Sequence, residues 1–238
     1  MKLVEKDETV RGLLEEHIKR LAQKREVLQV LEAGCGREWY FRMDGIKFEL
    51  TGVDLDPAAL QARMSDKKDL TRSIVGDLLK VNLVPESYDV IYNGYVLEHI
   101  PTAEKALDNF VRWLKPGGVL ILTLPDRNSA YGFMTRVTPF WFHVLYYRYA
   151  WGLKQAGKPG FAPYHTFYDK VVSRRGIREF AAKHQLTVRE ELGFGSYWRG
   201  NGIFRFLTAA IAKFLSVFSF GRVHSRYVDL AYVLEKPA

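Results

Sequence analysis

Residues 27–41 read "VLQVLEAGCGREWYF". The apolar run Val27-Leu28-Gln29-Val30-Leu31 enters a carboxylate, Glu32, and then Gly34 and Gly36 on either side of Cys35. A near-continuous apolar strand is buried on both faces, as in a parallel sheet. Glycines directly after it let a ligand approach the backbone. The stretch therefore predicts a buried strand that ends in a Gly-rich loop leading into a helix.

Outward from this stretch, short apolar runs recur at 48–53, 73–75, 88–92, 119–124, 186–192 and 228–235. Helical spacing appears between them, at 8–24, 103–114 and 172–184. Strands alternating with helices argue for a doubly wound α/β sheet with both faces covered. At 238 residues, with 47% hydrophobic and 26% charged positions, the chain suits one large folded domain, residues 1–238. The charged first residues, MKLVEKDETVRGLLEE, do not resemble a signal peptide, and a cytoplasmic setting is expected. The lone Cys35 excludes an intramolecular disulfide and a cysteine-clustered metal site.

The net charge of +8 is localised. Residues 127–168 hold Arg127, Arg136, Arg148, Lys154 and Lys158 without an acid, and residues 192–228 hold Arg199, Arg205, Lys213, Arg222 and Arg226, again without one. The rest of the chain is close to neutral. Both basic segments interrupt the strand–helix alternation, so they read as two insertions, at 127–168 and 195–226.

The other strand ends carry polar residues too. The second gives Gly52-Val53-Asp54-Leu55-Asp56, the third Gly76-Asp77-Leu78, and the fourth Tyr92-Asn93 followed by Leu97-Glu98-His99. An acid at Asp54 can accept hydrogen bonds from both hydroxyls of a ribose lying across the strand ends. A dinucleotide fingerprint would require glycine at 39, where Trp39 stands. A carboxylate at Glu32 suits a ligand bearing an ammonium group. Asp54 and Asp77 could alternatively serve only as local caps, as could Asp56 before Pro57.

Taken together, "LEAGCG", "GVDLD", "GDL", "YDVIYNGYVLEHI" and "LKPGGVLILTLP" resemble the class I S-adenosylmethionine-dependent methyltransferases, especially those acting on small molecules. The resemblance runs from about residue 27 to 125. It implies a Rossmann-like seven-stranded sheet, mostly parallel with a reversed last strand. It also implies that Glu32, Gly34, Cys35 and Gly36 face the methionine part of the cofactor, with Asn93 near its amino and carboxylate groups. Asp54 and Leu55 would meet the ribose, and Asp77 and Leu78 the adenine. Glu38 stands where this family commonly has a third glycine.

Methyl transfer from a sulfonium depends mainly on alignment, and a base is needed only when the acceptor must lose a proton. His99 is the first candidate base, and His143 and His165 in the first insertion are the others. Some cation-using relatives carry an acid three residues before the Glu-His pair; here that position is Tyr95, so no metal is expected. Residues 131–168 contain thirteen aromatic side chains. This density predicts a substrate lid with aromatic walls and cations for an acidic group, although a lid packed on itself is the simpler reading. On a helical wheel, residues 203–220 place ten apolar side chains on one half, opposite Arg205, Thr208, Lys213, Ser216 and Ser219. Such a half-wheel closes over the lid, forms a homodimer, or lies in a membrane interface.

The expected function is transfer of a methyl group to a hydrophobic or amphipathic small molecule bearing an acidic group, at oxygen. A nucleic-acid methyltransferase is the alternative that the basic segments suggest, but their cations are embedded among large apolar residues with no run tracking a phosphate backbone. A cofactor-binding protein without turnover is the third reading.

Overall fold

A computed structural model describes residues 1–150, 152–158, 161–195 and 203–238, with the side chains of 150 and 203–205 not described. Eight strands form one sheet: β1 (Lys2–Val4), β2 (Leu28–Ala33), β3 (Phe48–Asp54), β4 (Arg72–Val75), β5 (Tyr88–Gly94), β6 (Leu114–Pro125), β7 (Thr187–Phe194) and β8 (Asp229–Glu235). Their spatial order is β1-β7-β8-β6-β5-β2-β3-β4. All neighbours are parallel except β8, which runs antiparallel to both β6 and β7. The reversed last strand is thus as expected.

The sheet has one strand more than the seven expected. Lys2–Val4 pairs with Leu192–Phe194 at the edge, a three-residue segment too short and too charged to register as a strand from sequence. A second difference lies after β2. The loop was expected to lead into a helix, but residues 34–47 cross to β3 as coil. Trp39, Tyr40 and Phe41 replace the missing helix by clustering on Tyr92, with Phe41 and Tyr92 ring centroids 4.7 Å apart and Tyr40 stacked on Tyr92 at 5.6 Å.

The period-two alternation of the strands feeds two cores. On one face, Leu31, Ala33, Ile91 and Leu122 pack against α3 (Ala103–Trp113) and α6 (Arg174–Lys183) through Leu107, Phe110, Ile177 and Phe180. On the other, Leu28, Val30, Val90 and Ile121 pack against α1 (Asp7–Ala22) and the aromatic coil through Val10, Leu14, Ile18 and Phe41.

The strand order reverses between β2 and β5, so the crevice beyond their carboxyl ends is where ligands bind in open α/β sheets. Helix α2 (Pro57–Ala62) follows β3, with Asp56 as its N-cap: Oδ1 accepts from the Ala58 amide at 2.9 Å, and Pro57 occupies the first turn. The first insertion contains α4 (Ala130–Val137) and α5 (Phe140–Ala150), and the second contains α7 (Ile203–Phe218). Expectations resting on Trp151, Arg199 and the wheel positions Ile203, Phe204 and Arg205 fall outside the described residues or side chains.

Candidate functional site at the strand carboxyl ends

The loop after β2 is held on both sides. The amides of Gly34 and Cys35 donate to the Val53 carbonyl at 2.8 and 3.2 Å. Gly34 has φ +79°, and a Cβ there would run into the side chain of Val96. Gly36 has φ +53° with open space where a Cβ would point, so this backbone is approachable from outside. Cys35 is buried, its thiol pushed up to about 12 mainly by burial, and its Sγ lies beneath Gly52.

Asp54 belongs to this loop as much as to its own strand. Its Oδ2 accepts from the Gly36 amide at 2.8 Å, and its Oδ1 from the Asp56 amide at 2.9 Å. The helix cap is Asp56, so Asp54 is a loop anchor rather than a cap. Asp77 accepts from the Leu79 amide at 2.9 Å, the local turn that the simpler reading anticipated. Leu78 is buried, whereas Leu55 is 71% exposed at the end of β3.

Glu32 does not face an open crevice. It is buried and ion-paired with Arg63, whose Nη2 lies 2.9 Å from Oε2. Arg63 has no exposed surface; its Nη1 donates to the Cys35 carbonyl at 2.8 Å and its Nε to Asp69 at 2.7 Å. Burial pushes Glu32 up to about 8 against the pull of Arg63. The pair braces the loop from below.

Asn93, at the end of β5, is fully buried. Its Nδ2 donates to the Ala33 carbonyl at 2.6 Å, while its Oδ1 has no partner. This buried amide oxygen beside the glycine loop is open to a donor, and such groups are ordinarily satisfied.

The three candidate histidines converge. His99 Nδ1 lies 2.6 Å from the His165 carbonyl; a carbonyl only accepts, so Nδ1 carries the proton and Nε2 keeps its lone pair. The His165 ring stacks on Phe140 at 3.9 Å, and Phe140 meets His143 edge-on at 6.2 Å. His143 Nε2 is 2.7 Å from Thr138 Oγ1. Burial lowers both His99 and His143 below the ordinary histidine range. Beside His99, Glu98 is buried with Oε2 unpartnered and is pushed up to about 8 by desolvation. Its carbonyl accepts from the Phe167 and Tyr168 amides, which ties the returning end of the first insertion to the segment that carries His99.

Two cations of the first insertion are occupied with backbone. Arg136 Nη2 donates to the Arg127 carbonyl at 3.1 Å and Arg148 Nε to the Ala156 carbonyl at 3.0 Å. Lys154 and Lys158 are exposed. A cleft of about 380 Å³ runs along Leu153, Lys154, Ala156 and Phe161. Its lining falls entirely within residues 152–162 and includes none of the strand-end residues named above. Among the described residues no group of three or more His, Cys, Asp or Glu side chains could hold a metal.

Sequence reasoning missed Arg63 and the state of Glu98. Arg63 follows Ala59 and Leu60 on the buried face of its helix, a position where a cation signals a buried acid elsewhere. Glu98 stood in view only as part of the pair preceding His99.

Residues 7–191 match the family described as the methyltransferase domain. A Mycolicibacterium smegmatis protein named as a probable S-adenosylmethionine-dependent methyltransferase is 29% identical over 131 residues, covering 51% of each chain. The malonyl-[acyl-carrier protein] O-methyltransferase of Enterobacter lignolyticus is 29% identical over 117 residues, covering 45% of each. The chain therefore matches about half the length of these relatives. Among solved structures, the N-methyltransferase NodS from Bradyrhizobium japonicum WM9 in complex with S-adenosyl-L-homocysteine superposes with a TM-score of 0.52 at 18% identity, over 94% of this chain and 87% of that one.

Proposed function

The chain belongs to the class I S-adenosylmethionine-dependent methyltransferases, and from that premise we propose that it methylates a hydrophobic or amphipathic small molecule bearing an acidic group, at oxygen. The observation that carries the reading is His99, whose Nδ1 is bonded to the His165 carbonyl and whose ring meets Tyr164 edge-on at 5.8 Å, leaving Nε2, 3.8 Å from Glu98, able to accept a proton.

The crevice residues fit the donor. The open approach at Gly36 and the unpartnered Oδ1 of Asn93 suit the methionine end, with its ammonium and carboxylate. Asp54 retains accepting capacity for ribose hydroxyls, since each carboxylate oxygen accepts more than one bond. The exposed side chain of Leu55 and the buried Leu78 would offer apolar contact near the ring, and Asp77 would accept from the adenine amino group. The coil at 37–47 presents no helix N-terminus, the element that binds a pyrophosphate in dinucleotide folds, and the donor has no pyrophosphate. When bound, the donor supplies an activated methyl group on sulfur.

The chain's own part is alignment and proton transfer. For a hydroxyl acceptor, Nε2 of His99 takes the proton as the carbon–oxygen bond forms and the carbon–sulfur bond breaks. Its lowered pKa keeps it neutral and ready at pH 7. The His165 carbonyl fixes the ring. An acceptor carboxylate needs no base, and alignment then suffices. The O-methyltransferase named for a malonyl group among the relatives supports oxygen and an acidic acceptor. The lid supports the hydrophobic part, with Trp141, Phe142, Tyr164 and Phe167 exposed. The apolar helix α7 is read as contact with a greasy surface, either a membrane or a second copy.

The test is incubation with methyl-radiolabelled donor and a panel of fatty, polyketide-like and lipid-linked acids, alcohols and amines. Label in an amphipathic acid or alcohol is the expected result. Label confined to amines or to nucleic acid overturns the reading.

A further inference from the structure

Helix α7 is docked inside out. Its half-buried or buried stripe is Thr208, Ala209, Ala212, Leu215, Ser216 and Ser219, recurring at helical spacing. Ala212 and Leu215 pack on Ala130 and Phe133 of α4 and on Val223. The opposite side is Phe206, Leu207, Ile211, Phe214, Val217 and Phe218, between 48% and 64% exposed. Phe220, just past the end, is 95% exposed. A helix on a protein surface ordinarily turns such a stripe inward. Here the small and polar side chains meet the protein and the aromatic ones face out. A contiguous apolar surface of this kind marks an interaction site.

Its electrostatic surroundings select the partner. Lys213, Arg222 and Arg226 are exposed around it, and Arg136 of α4 lies over Phe133 beside the docking seam. Neither 127–168 nor 192–228 contains an acid. The flanking acids Asp126 and Asp229 are buried, and Asp126 is engaged by His224 and Tyr227 at 3.1 and 3.0 Å.

We propose that α7 lies flat on an anionic lipid surface, its phenylalanines below the headgroups and Lys213 and Arg222 at the lipid phosphates. The helix is about 24 Å long, and no described helix is long and apolar enough to cross a membrane. Amphipathic helices with cations beside an apolar face bind anionic interfaces in this way. A symmetric pair would set the same cations of two copies near one another, and neither basic segment contributes an acid to neutralise them. The inference deepens the reading of α7 as a greasy contact and does not depend on the methyl acceptor. Because α4 carries α7 and starts just beyond β6, docking holds the lid against the bilayer surface.

The experiment is flotation of the full chain with phosphatidylcholine vesicles, with or without phosphatidylglycerol, alongside calorimetry with S-adenosylhomocysteine. Binding to the anionic vesicles at least about tenfold stronger than to neutral ones is expected, weakening with salt. Phe214→Asp should reduce it by about tenfold or more while nucleoside binding is unchanged. Should Phe214→Asp fail to fold, the exposed Lys213→Glu, combined with Arg222→Glu, carries the same expectation. Equal binding to both vesicles, or binding to neither, overturns the proposal. So does a dimer in sedimentation that Phe214→Asp dissociates, which would assign the face to a second copy. Loss of S-adenosylhomocysteine binding by the wild type would instead strike the methyltransferase reading and leave the lipid result standing.

Discussion

Arg63 and Glu32 meet at 2.9 Å with neither side chain appreciably open to solvent, and this pair supports the loop that carries Gly34 and Gly36. Removing Arg63 leaves the buried Glu32 carboxyl and the Asp69 carboxylate without their shared partner. Arg63→Met should therefore destabilise the protein by about 3–5 kcal/mol in urea denaturation. The double variant Arg63→Met with Glu32→Gln should recover part of this loss. The Cys35 carbonyl loses its donor in both, so affinity for S-adenosylhomocysteine should fall in both.

Asp54→Ala is expected to weaken S-adenosylhomocysteine binding by roughly 1.5–3 kcal/mol in calorimetry. Two effects should add: a ribose held there would lose a charged acceptor, and the Gly36 amide loses its anchor. Asp54→Asn should fall between, since it keeps an acceptor oxygen for only one of these partners.

Gly34→Ala meets two obstacles, the left-handed backbone and the Val96 side chain. Donor binding should drop about tenfold or more. Pairing it with Val96→Ala relieves the collision but not the conformation, so recovery should be partial. Full recovery would show that the φ of +79° is dispensable.

His99→Ala should lower kcat by about a hundredfold while donor affinity changes little, if the acceptor is a hydroxyl. The pH dependence carries the sign. Burial lowers His99 below its ordinary 6.5, so kcat should rise with pH through a midpoint under 6.5 and then level off. A midpoint above 7 would remove His99 from this role.

Glu98 gives a stability test. In the unfolded chain it ionises near 4.5, and in the fold near 8. Between these values the native protein retains a proton that the unfolded chain has lost, so Glu98 makes stability fall as pH rises. Glu98→Gln should flatten that slope and be the more stable protein at pH 8, by about 1–3 kcal/mol.

Much of this was legible because the informative contacts are local. The apolar run before Glu32 marked β2, and glycine spacing marked the bend at its end. Asp56 before Pro57 announced its own cap. Long-range pairings were not legible. The spacing of Arg63 from Ala59 and Leu60 hints at burial, but its partner Glu32 lies thirty-one positions earlier, beyond the reach of periodicity. The half-wheel of α7 was visible, but periodicity gives a stripe and not its direction. Only the packing of Ala212 on α4 determines that the aromatic side turns outward. The crossover after β2 failed for another reason: Trp39, Tyr40 and Phe41 are consecutive, and their partner Tyr92 lies on a strand far along the chain.

That crossover links the glycine loop to the first helix. With no helix of its own to close its hydrogen bonds, the coil at 37–47 depends on groups elsewhere. Glu15 of α1 accepts from the Arg42 amide at 2.8 Å, and Phe41 shares a core with Val10, Leu14 and Ile18. The coil and α1 should therefore exchange their amide hydrogens as one cooperative unit, opening together below the global unfolding free energy. Ligand that orders the glycine loop will slow exchange in α1, a segment it never touches, and loosening α1 will appear at the donor site as a faster off-rate.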